Sequence, residues 1–199
     1  EEISSSLHAY ESLWTSRSET LGSIAAILSS MPNVRDAVRT RHQPTIQDAA
    51  GELWTRVNDN LKENAFILVI SPDGAVIAPF GPTTGLSLPA SWPVVRSAAS
   101  RFPKQVSGFV VLDGRLFQLV LTPVYVDGAA GPALLSVLLT GFEVNHQVAL
   151  KLKESTGGSD FLFVSSGHVF ASTLNPRATA ALGRLSLDGK APSAVNDGV

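Results

Sequence analysis

The first sixty residues place apolar and polar side chains with the period of an α-helix. Between residues 4 and 30, apolar side chains recur every three or four positions, and Ser, Thr, Glu and Arg fill the opposite side. This spacing is typical of a helix that buries one side. Pro32 interrupts the pattern, because proline lacks the donor N–H and clashes with the preceding turn. We predict a long helix, a break, a short helix over residues 34–38 and a third helix from Thr45 to Leu61.

Beyond the third helix, the pattern changes to short apolar runs separated by turn residues. The first two runs flank Pro72-Asp73-Gly74, where proline sets φ at the first turn position and glycine supplies a positive φ. Asp113-Gly114 separates two more apolar runs, which is a strong hairpin signal. Strands are predicted at residues 66–70, 75–78, 108–112, 115–126, 132–141, 160–164 and 168–173, and further helices at 92–102 and 142–154. Because strands and helices do not alternate as in a parallel sheet, we predict an α+β fold with a mostly antiparallel sheet.

Composition and charge indicate a folded domain with no affinity for nucleic acid. Of the 199 residues, 44% are hydrophobic and 16% are charged, and the formal net charge is −2. The chain has no cysteine, which excludes disulfides and thiolate metal sites. It lacks an apolar run of the roughly 18 residues that a membrane span needs. Because it opens on Glu1-Glu2 without an initiator methionine, we expect it to be part of a longer protein.

No arrangement of residues in the sequence points to catalysis or metal binding. His8, His42, His146 and His168 are isolated, and no two of them have the spacing of metal ligands. Neither a G-x-S-x-G nucleophile motif nor a P-loop is present. We therefore expect no catalytic residue, no metal and no cofactor, which leaves a binding site as the remaining hypothesis.

Three segments carry a more specific pattern: ISPDGAVIA at residues 70–78, GFVVLDGRLFQLVLTPVY at residues 108–125, and residues 132–173. In this order of elements, they resemble the extracytoplasmic Cache sensor domains, and they are similar to the double-Cache type of bacterial histidine kinases and cyclases. The resemblance covers nearly the whole chain. It implies a long N-terminal helix packed on a PAS-like five-stranded antiparallel sheet, followed by a connecting helix and a small second α/β module.

The resemblance also implies a division into three parts. Residues 1–64 form a helical stalk, and residues 65–142 form a membrane-distal PAS-like sheet module. Residues 143–199 contain the connecting helix and a small membrane-proximal module. This last part is short for a second five-stranded sheet, which leaves a reduced module and an incomplete one as alternatives.

A ligand cavity is implied between the sheet and the helix over residues 92–102. The candidate ligand-binding residues are Trp92, Arg96, Arg115, Gln118, Tyr125 and Thr140. A cation beside hydroxyl and amide groups suits a small carboxylate or an amino acid. Structural alternatives exist, since Arg115 can be solvated beside its turn, Gln118 can face water and Tyr125 can close the end of the core.

The resemblance implies a periplasmic ligand-sensing domain of a bacterial membrane-bound receptor, part of a two-component histidine kinase or a cyclase. Ligand binding would pass to a cytoplasmic output domain through a helix shift, and membrane spans would flank the domain. We also expect a homodimer through the N-terminal helix, at Leu7, Tyr10, Leu13 and Trp14. The alternative is a scaffolding or adhesion module that has a filled core and no ligand pocket.

Overall fold

The computed structural model describes residues 2–57, 61, 63–83, 86–88, 92–129 and 131–184. The chain begins with three helices: α1 (Glu2–Ser30), α2 (Pro32–Thr40) and α3 (Gln43–Arg56). Pro32 and Pro44 lie in the first turns of α2 and α3, where a missing N–H removes no helical hydrogen bond. The third helix therefore begins two residues before the predicted start at Thr45. It ends at Arg56 and not at the predicted Leu61, since the following Val57 has an extended backbone; residues 58–60 lie outside the described residues.

Five strands form one antiparallel sheet in the order β2-β1-β5-β4-β3. The strands are β1 (Ala65–Ile70), β2 (Val76–Phe80), β3 (Val106–Leu112), β4 (Arg115–Gly128) and β5 (Gly131–Glu143). β5 lies in the centre, where its Thr140 is opposite both Ile67 of β1 and Val120 of β4. The predicted five-stranded antiparallel sheet is confirmed.

The remaining elements connect and extend this sheet. They are helix α4 (Val94–Ser100) between β2 and β3, helix α5 (His146–Ser155), the hairpin β6 (Leu162–Ser165) and β7 (His168–Ser172), and helix α6 (Pro176–Arg184). α5 begins later than predicted for two reasons. Phe142 still pairs with Ala65 in the sheet, and the Asn145 side chain accepts a hydrogen bond from the Val148 N–H as the N-cap.

Helices cover both faces of the sheet, but unequally. On one face, which we call the α1 face, Ala25 and Leu28 of α1 pack with α2, α3 and the strands. On the other, the α4 face, Val94 and Ala98 of the seven-residue helix α4 pack on the sheet. Strand β1 is buried along its whole length, as expected for a strand that is covered on both sides.

Candidate functional site

The two faces of the sheet differ in the chemistry of their buried side chains. The buried strand residues of the α4 face are all apolar: Phe66, Leu68, Ile70, Leu112, Phe117, Leu119, Leu121, Val137 and Leu139. The buried polar strand residues are Gln118, Thr122, Ser136 and Thr140. Because neighbouring residues of a strand point to opposite faces, these four side chains lie on the α1 face. The buried hydrogen-bonding side chains of the described strands therefore lie beneath the three N-terminal helices.

Trp92 and Arg96 belong to the layer that covers the α4 face. Trp92 is half-buried and packs against the apolar cluster of that face. Arg96 is exposed on α4, whereas Val94 and Ala98 of the same helix are buried. α4 thus presents its apolar side to the sheet and Arg96 to solvent.

Arg115 and Tyr125 lie near opposite ends of β4. Nη1 of Arg115 is 3.4 Å from Oε2 of Glu143, and both side chains are about one-third exposed or less. The ring centroid of Tyr125 is 4.2 Å from that of Phe102, which follows α4. Ten residues of extended strand cover roughly 33 Å, so Arg115 and Tyr125 cannot contact the same small ligand.

Gln118 and Thr140 lie on the α1 face and contact the long helix. Gln118 is 3% exposed, and its Nε2 donates a hydrogen bond to the main-chain oxygen of Trp14 at 2.8 Å. Thr140 is fully buried, and its Oγ1 lies 3.3 Å from the main-chain oxygen of Val120 on β4 and 3.4 Å from that of Leu21 on α1. The interpretation that Gln118 faces water is wrong, because its side chain joins β4 to α1.

The six predicted residues therefore do not converge on one site. Trp92 and Arg96 lie in the α4 layer, and Tyr125 contacts the segment that follows α4. Arg115 is paired at the far end of β4, whereas Gln118 and Thr140 lie on the opposite face. Ligand binding by these residues stays a prediction.

Two residues of the α1 face were not among the predicted ones. Nε2 of Gln105 donates hydrogen bonds to the main-chain oxygen of Gly22 and to Oγ1 of Thr122, both at 2.8 Å. The guanidinium carbon of Arg17 lies 3.9 Å from the ring centroid of Phe142, and burial lowers the pKa of Arg17 to about 10. No local signal marks Gln105, since its partners are 83 and 17 residues away in sequence.

An aromatic cluster joins α1 to the β6–β7 hairpin. The ring centroid of Trp14 is 5.0 Å from that of Phe109 on β3 and 5.8 Å from that of Phe163 on β6. The ring of Tyr10 is stacked 6.5 Å from the ring of Phe161, and burial raises the pKa of Tyr10. α1 therefore contacts both the five-stranded sheet and the second, smaller sheet.

Residues of this aromatic cluster were predicted to form the contact between two copies of the chain. Trp14 is 6% exposed, and Tyr10 and Leu13 are partly buried against the same cluster. Of the four residues predicted to pair between two copies, Leu7 is the exposed one, at 52%. The apolar stripe at this end of α1 is thus used largely within the chain.

Two open grooves lie away from the predicted residues. One, of about 520 Å³, is lined by Gly167, Val169, Ser172, Leu174, Pro176, Thr179 and Ala180 of the β7–α6 region. The other, of about 450 Å³, is lined by Asn33, Asp36, Ala37, Thr40, Thr45, Asp48 and Ala49 of α2 and α3. None of the six predicted residues lines either groove.

Two further properties of the described residues bear on function. Over the ranges described above, no helix combines the length and apolarity that crossing a bilayer requires. Within the same ranges, His, Asp and Glu side chains form no group of three or more that could hold a metal ion.

Comparison with known proteins gives matches at the level of structure. No protein-family model matches the sequence, and no curated protein sequence matches it significantly. The fold is similar to a crystal structure of the periplasmic domain of LuxQ from Vibrio cholerae, with a TM-score of 0.66 and 13% sequence identity, over 92% of this chain and 85% of that one. A second LuxQ structure gives a TM-score of 0.61 at 13% identity, over 88% and 80% of the two chains.

A third match is more distant. The ligand-binding domain of the amino acid chemoreceptor PctB from Pseudomonas aeruginosa PAO1, in complex with L-Arg, gives a TM-score of 0.35 at 18% identity, over 76% of this chain and 64% of that one. This score is too low to carry an argument about fold. The LuxQ matches cover nearly the whole chain, so the chain has the fold of the LuxQ periplasmic domain, as expected for the predicted α+β PAS-like class.

Proposed function

We propose that this chain is the extracytoplasmic ligand-sensing domain of a bacterial membrane-bound signal-transduction protein, of the histidine kinase or cyclase type. The observation that supports this most is the similarity to the LuxQ periplasmic domain over 92% of the chain. The domain would have no catalytic role of its own, and the output would lie in another part of the full-length protein. Its three parts would be residues 1–64, 65–142 and 143–199.

The ligand would be a small molecule, a carboxylate or an amino acid, held at the α4 side of the sheet. Arg96 is exposed there and could supply the cation, with half-buried Trp92, just before the helix, as an apolar wall. A guanidinium pairs well with a carboxylate through two parallel hydrogen bonds. Gln118 and Thr140 would take part in signal transmission and not in ligand binding, because they contact α1.

Signalling would proceed by a population shift of α1 relative to the sheet. A ligand that binds one position of the layers more tightly than another shifts the equilibrium by its difference in affinity and by no more. α1 suits this role because it contacts both the main sheet and the β6–β7 hairpin. A homodimer would use the N-terminal end of α1, where Leu7 is 52% exposed.

A scaffolding or adhesion module is the second candidate, and one observation favours it. Every buried strand residue of the α4 face is apolar, with Phe66 and Phe117 packed edge to face at 5.4 Å between centroids. A core filled in this way has no buried polar group on that face to orient a ligand. The two candidates differ in whether any small molecule stabilises the fold.

A thermal-shift screen with amino acids and small carboxylates separates them. A compound that binds the folded state raises the Tm in proportion to the logarithm of its concentration. We expect at least one compound to raise the Tm of the wild-type chain and of Arg177→Ala, an exposed arginine on α6, but not of Arg96→Ala. If no compound shifts the wild-type Tm, the scaffolding function is supported; if Arg96→Ala responds like the wild type, the proposed ligand site is wrong.

A further inference from the structure

The two edges of the five-stranded sheet are built differently. The edge strand β2 has five residues, contains Pro79, and pairs with β1 through a register shift. Gln47 of α3 donates a hydrogen bond to the main-chain oxygen of Pro79 at 2.9 Å. A short length, a proline, an irregular register and a covering helix each obstruct the addition of another strand. The β2 edge is thus protected within the chain.

The opposite edge strand, β3, lacks these protections. Its seven residues, Val106–Leu112, include no proline and no charged side chain, and they pair with β4 without a register shift. Val111 in this strand is 42% exposed. Among the described strands, β4 alone pairs with β3. A regular, apolar edge strand of this kind offers its unpaired main-chain groups to a further strand.

The turn between β3 and β4 identifies the main-chain groups that face outward. Asp113 and Gly114 both have positive φ, as in a two-residue type I′ turn. The residues that flank such a turn, Leu112 and Arg115, exchange both main-chain hydrogen bonds, and the following pairs along the ladder alternate. Three residues of β3 therefore direct their N–H and C=O groups away from β4: Ser107, Phe109 and Val111.

The helices on the two faces leave room beside this edge. Both α1 and α4 contact the strands β4 and β5. If a second copy of the chain pairs its β3 with this one, the two β4 strands lie three strand spacings apart, about 14 Å. Packed helices need about 8–10 Å between their axes. The helices over β4 in one copy therefore do not collide with those of the other copy.

The charges at the ends of β3 select a second copy of this chain in antiparallel orientation. Exposed Lys104 lies two residues before the strand, and exposed Asp113 follows directly after it. A two-fold axis at Phe109 places Ser107 of each copy opposite Val111 of the other, so that all the outward main-chain groups pair. The same register places Lys104 beside Asp113 of the other copy at both ends. Parallel pairing would place like charges together.

We propose that β3 pairs with β3 of a second copy, so that the two five-stranded sheets join edge to edge into one continuous sheet. This contact is separate from the pairing through the N-terminal end of α1, and it does not rest on the proposed sensing function. A single strand pair is a small interface, so the fraction of paired chains rises with protein concentration.

Amide hydrogen exchange at two protein concentrations tests this pairing residue by residue. We expect the outward amides of Ser107, Phe109 and Val111 to exchange rapidly in dilute protein and to become protected in concentrated protein. Gly108 and Val110 are the internal control, because their amides face β4 and stay protected at both concentrations. Rapid exchange of the three outward amides at the highest concentration overturns the proposal.

Val111→Pro blocks the pairing from within the strand. Proline removes an outward N–H and no hydrogen bond to β4, so the amides of Gly108 and Val110 should stay protected. We expect Phe109 to lose its concentration-dependent protection in this variant. Leu7→Glu, at the exposed N-terminal end of α1, should leave the protection of Phe109 in place. Protection of Phe109 that survives Val111→Pro but not Leu7→Glu overturns the proposal.

Exchanging the end charges tests the antiparallel orientation. We expect Lys104→Glu and Asp113→Lys each to reduce the concentration-dependent protection of Phe109, since like charges then meet at both ends of the strand pair. An equimolar mixture of the two variants should restore it, because opposite charges meet again in the mixed pair. Lys151→Glu, at an exposed position of α5, is the control and keeps the wild-type protection. Protection that neither charge variant reduces, or that the mixture does not restore, overturns the antiparallel pairing of two copies.

Discussion

Phe117 and Gln118 are neighbours on β4, and they show how differently the two faces of the sheet are built. Phe117 is 1% exposed and packs edge to face on Phe66 in an all-apolar layer beneath α4. Gln118 is 3% exposed and donates to the main chain of α1. Both faces stabilise the fold through apolar burial. The α1 face differs in that it adds directional hydrogen bonds from strand side chains to the main chain of a helix.

The largest expected effect is on the apolar face. Phe117→Ala removes a fully buried ring and leaves a cavity against Phe66, so we expect a loss of about 3–5 kcal/mol in the free energy of unfolding. Val111→Ala on β3 is the control, because Val111 is 42% exposed and should change the stability by about 0.5 kcal/mol at most. Urea unfolding measures both, and equal losses would contradict the importance of the α4 face.

Gly141→Ala examines the packing of the sheet at its centre. A Cβ at Gly141 would overlap the ring of Phe66 and come within 2.8 Å of a methyl carbon of Leu119. We expect a loss of about 1–3 kcal/mol, the usual cost of overpacking. Gly51→Ala on α3 is the matched control, since its Cβ meets nothing within 4 Å and alanine should stabilise the helix by about 1 kcal/mol. If Gly141→Ala leaves the free energy of unfolding unchanged, the apolar layer can rearrange around the added methyl group.

Gln118→Leu should behave unlike its neighbour Phe117. It removes one hydrogen bond together with an unpaired buried oxygen and keeps the volume of the side chain, so we expect a change of about 1 kcal/mol or less in either direction. Urea unfolding is again the measurement. A loss as large as that of Phe117→Ala would contradict the expectation that the side-chain hydrogen bond of Gln118 contributes little to the stability of the fold.

The smallest expected effect is on the pKa of Asp160, which lies just before the β6–β7 hairpin. Hydrogen bonds from Lys153 and Thr173 hold the pKa of the exposed Asp160 carboxyl below its usual range. The carboxylate therefore contributes stability above its ordinary pKa of about 3.9, and the contribution is lost as the pH falls through the lowered value. NMR titration of Asp160 should move to higher pH in Lys153→Met but not in Lys151→Met, an exposed lysine on the same helix. If Asp160 has the same titration midpoint in both variants, Lys153 does not lower the pKa of Asp160.

Most of the sheet could be predicted from the sequence because its signals are local. Asp113-Gly114 adopts positive φ at both residues, as a tight hairpin between apolar strands requires. The carboxyl of Asp73, which could have suggested a site, accepts a hydrogen bond from Ser71 within the first turn. The start of helix α5 differed from the prediction because an N-cap side chain, that of Asn145, sets it.

The candidate site could not be predicted in the same way, because it depends on long-range packing. Alternation along β4 separates Phe117 from Gln118, but it does not say which face the N-terminal helix covers. That choice is made by contacts between residues 104 positions apart, such as Gln118 and Trp14. The six predicted residues consequently lie on both faces, and Gln105 and Arg17 carried no signal of their own.

Native-state hydrogen exchange tests most directly whether α1 moves independently of the sheet. We predict that the amides of Leu21 and Ala25 in α1 exchange through an opening with a lower free energy and a smaller urea dependence than the amides of Val69 and Leu139 in β1 and β5, which should require global unfolding. If the α1 amides show the same free energy and the same urea dependence as those of the strands, α1 leaves the sheet only when the whole domain unfolds, and the account is contradicted.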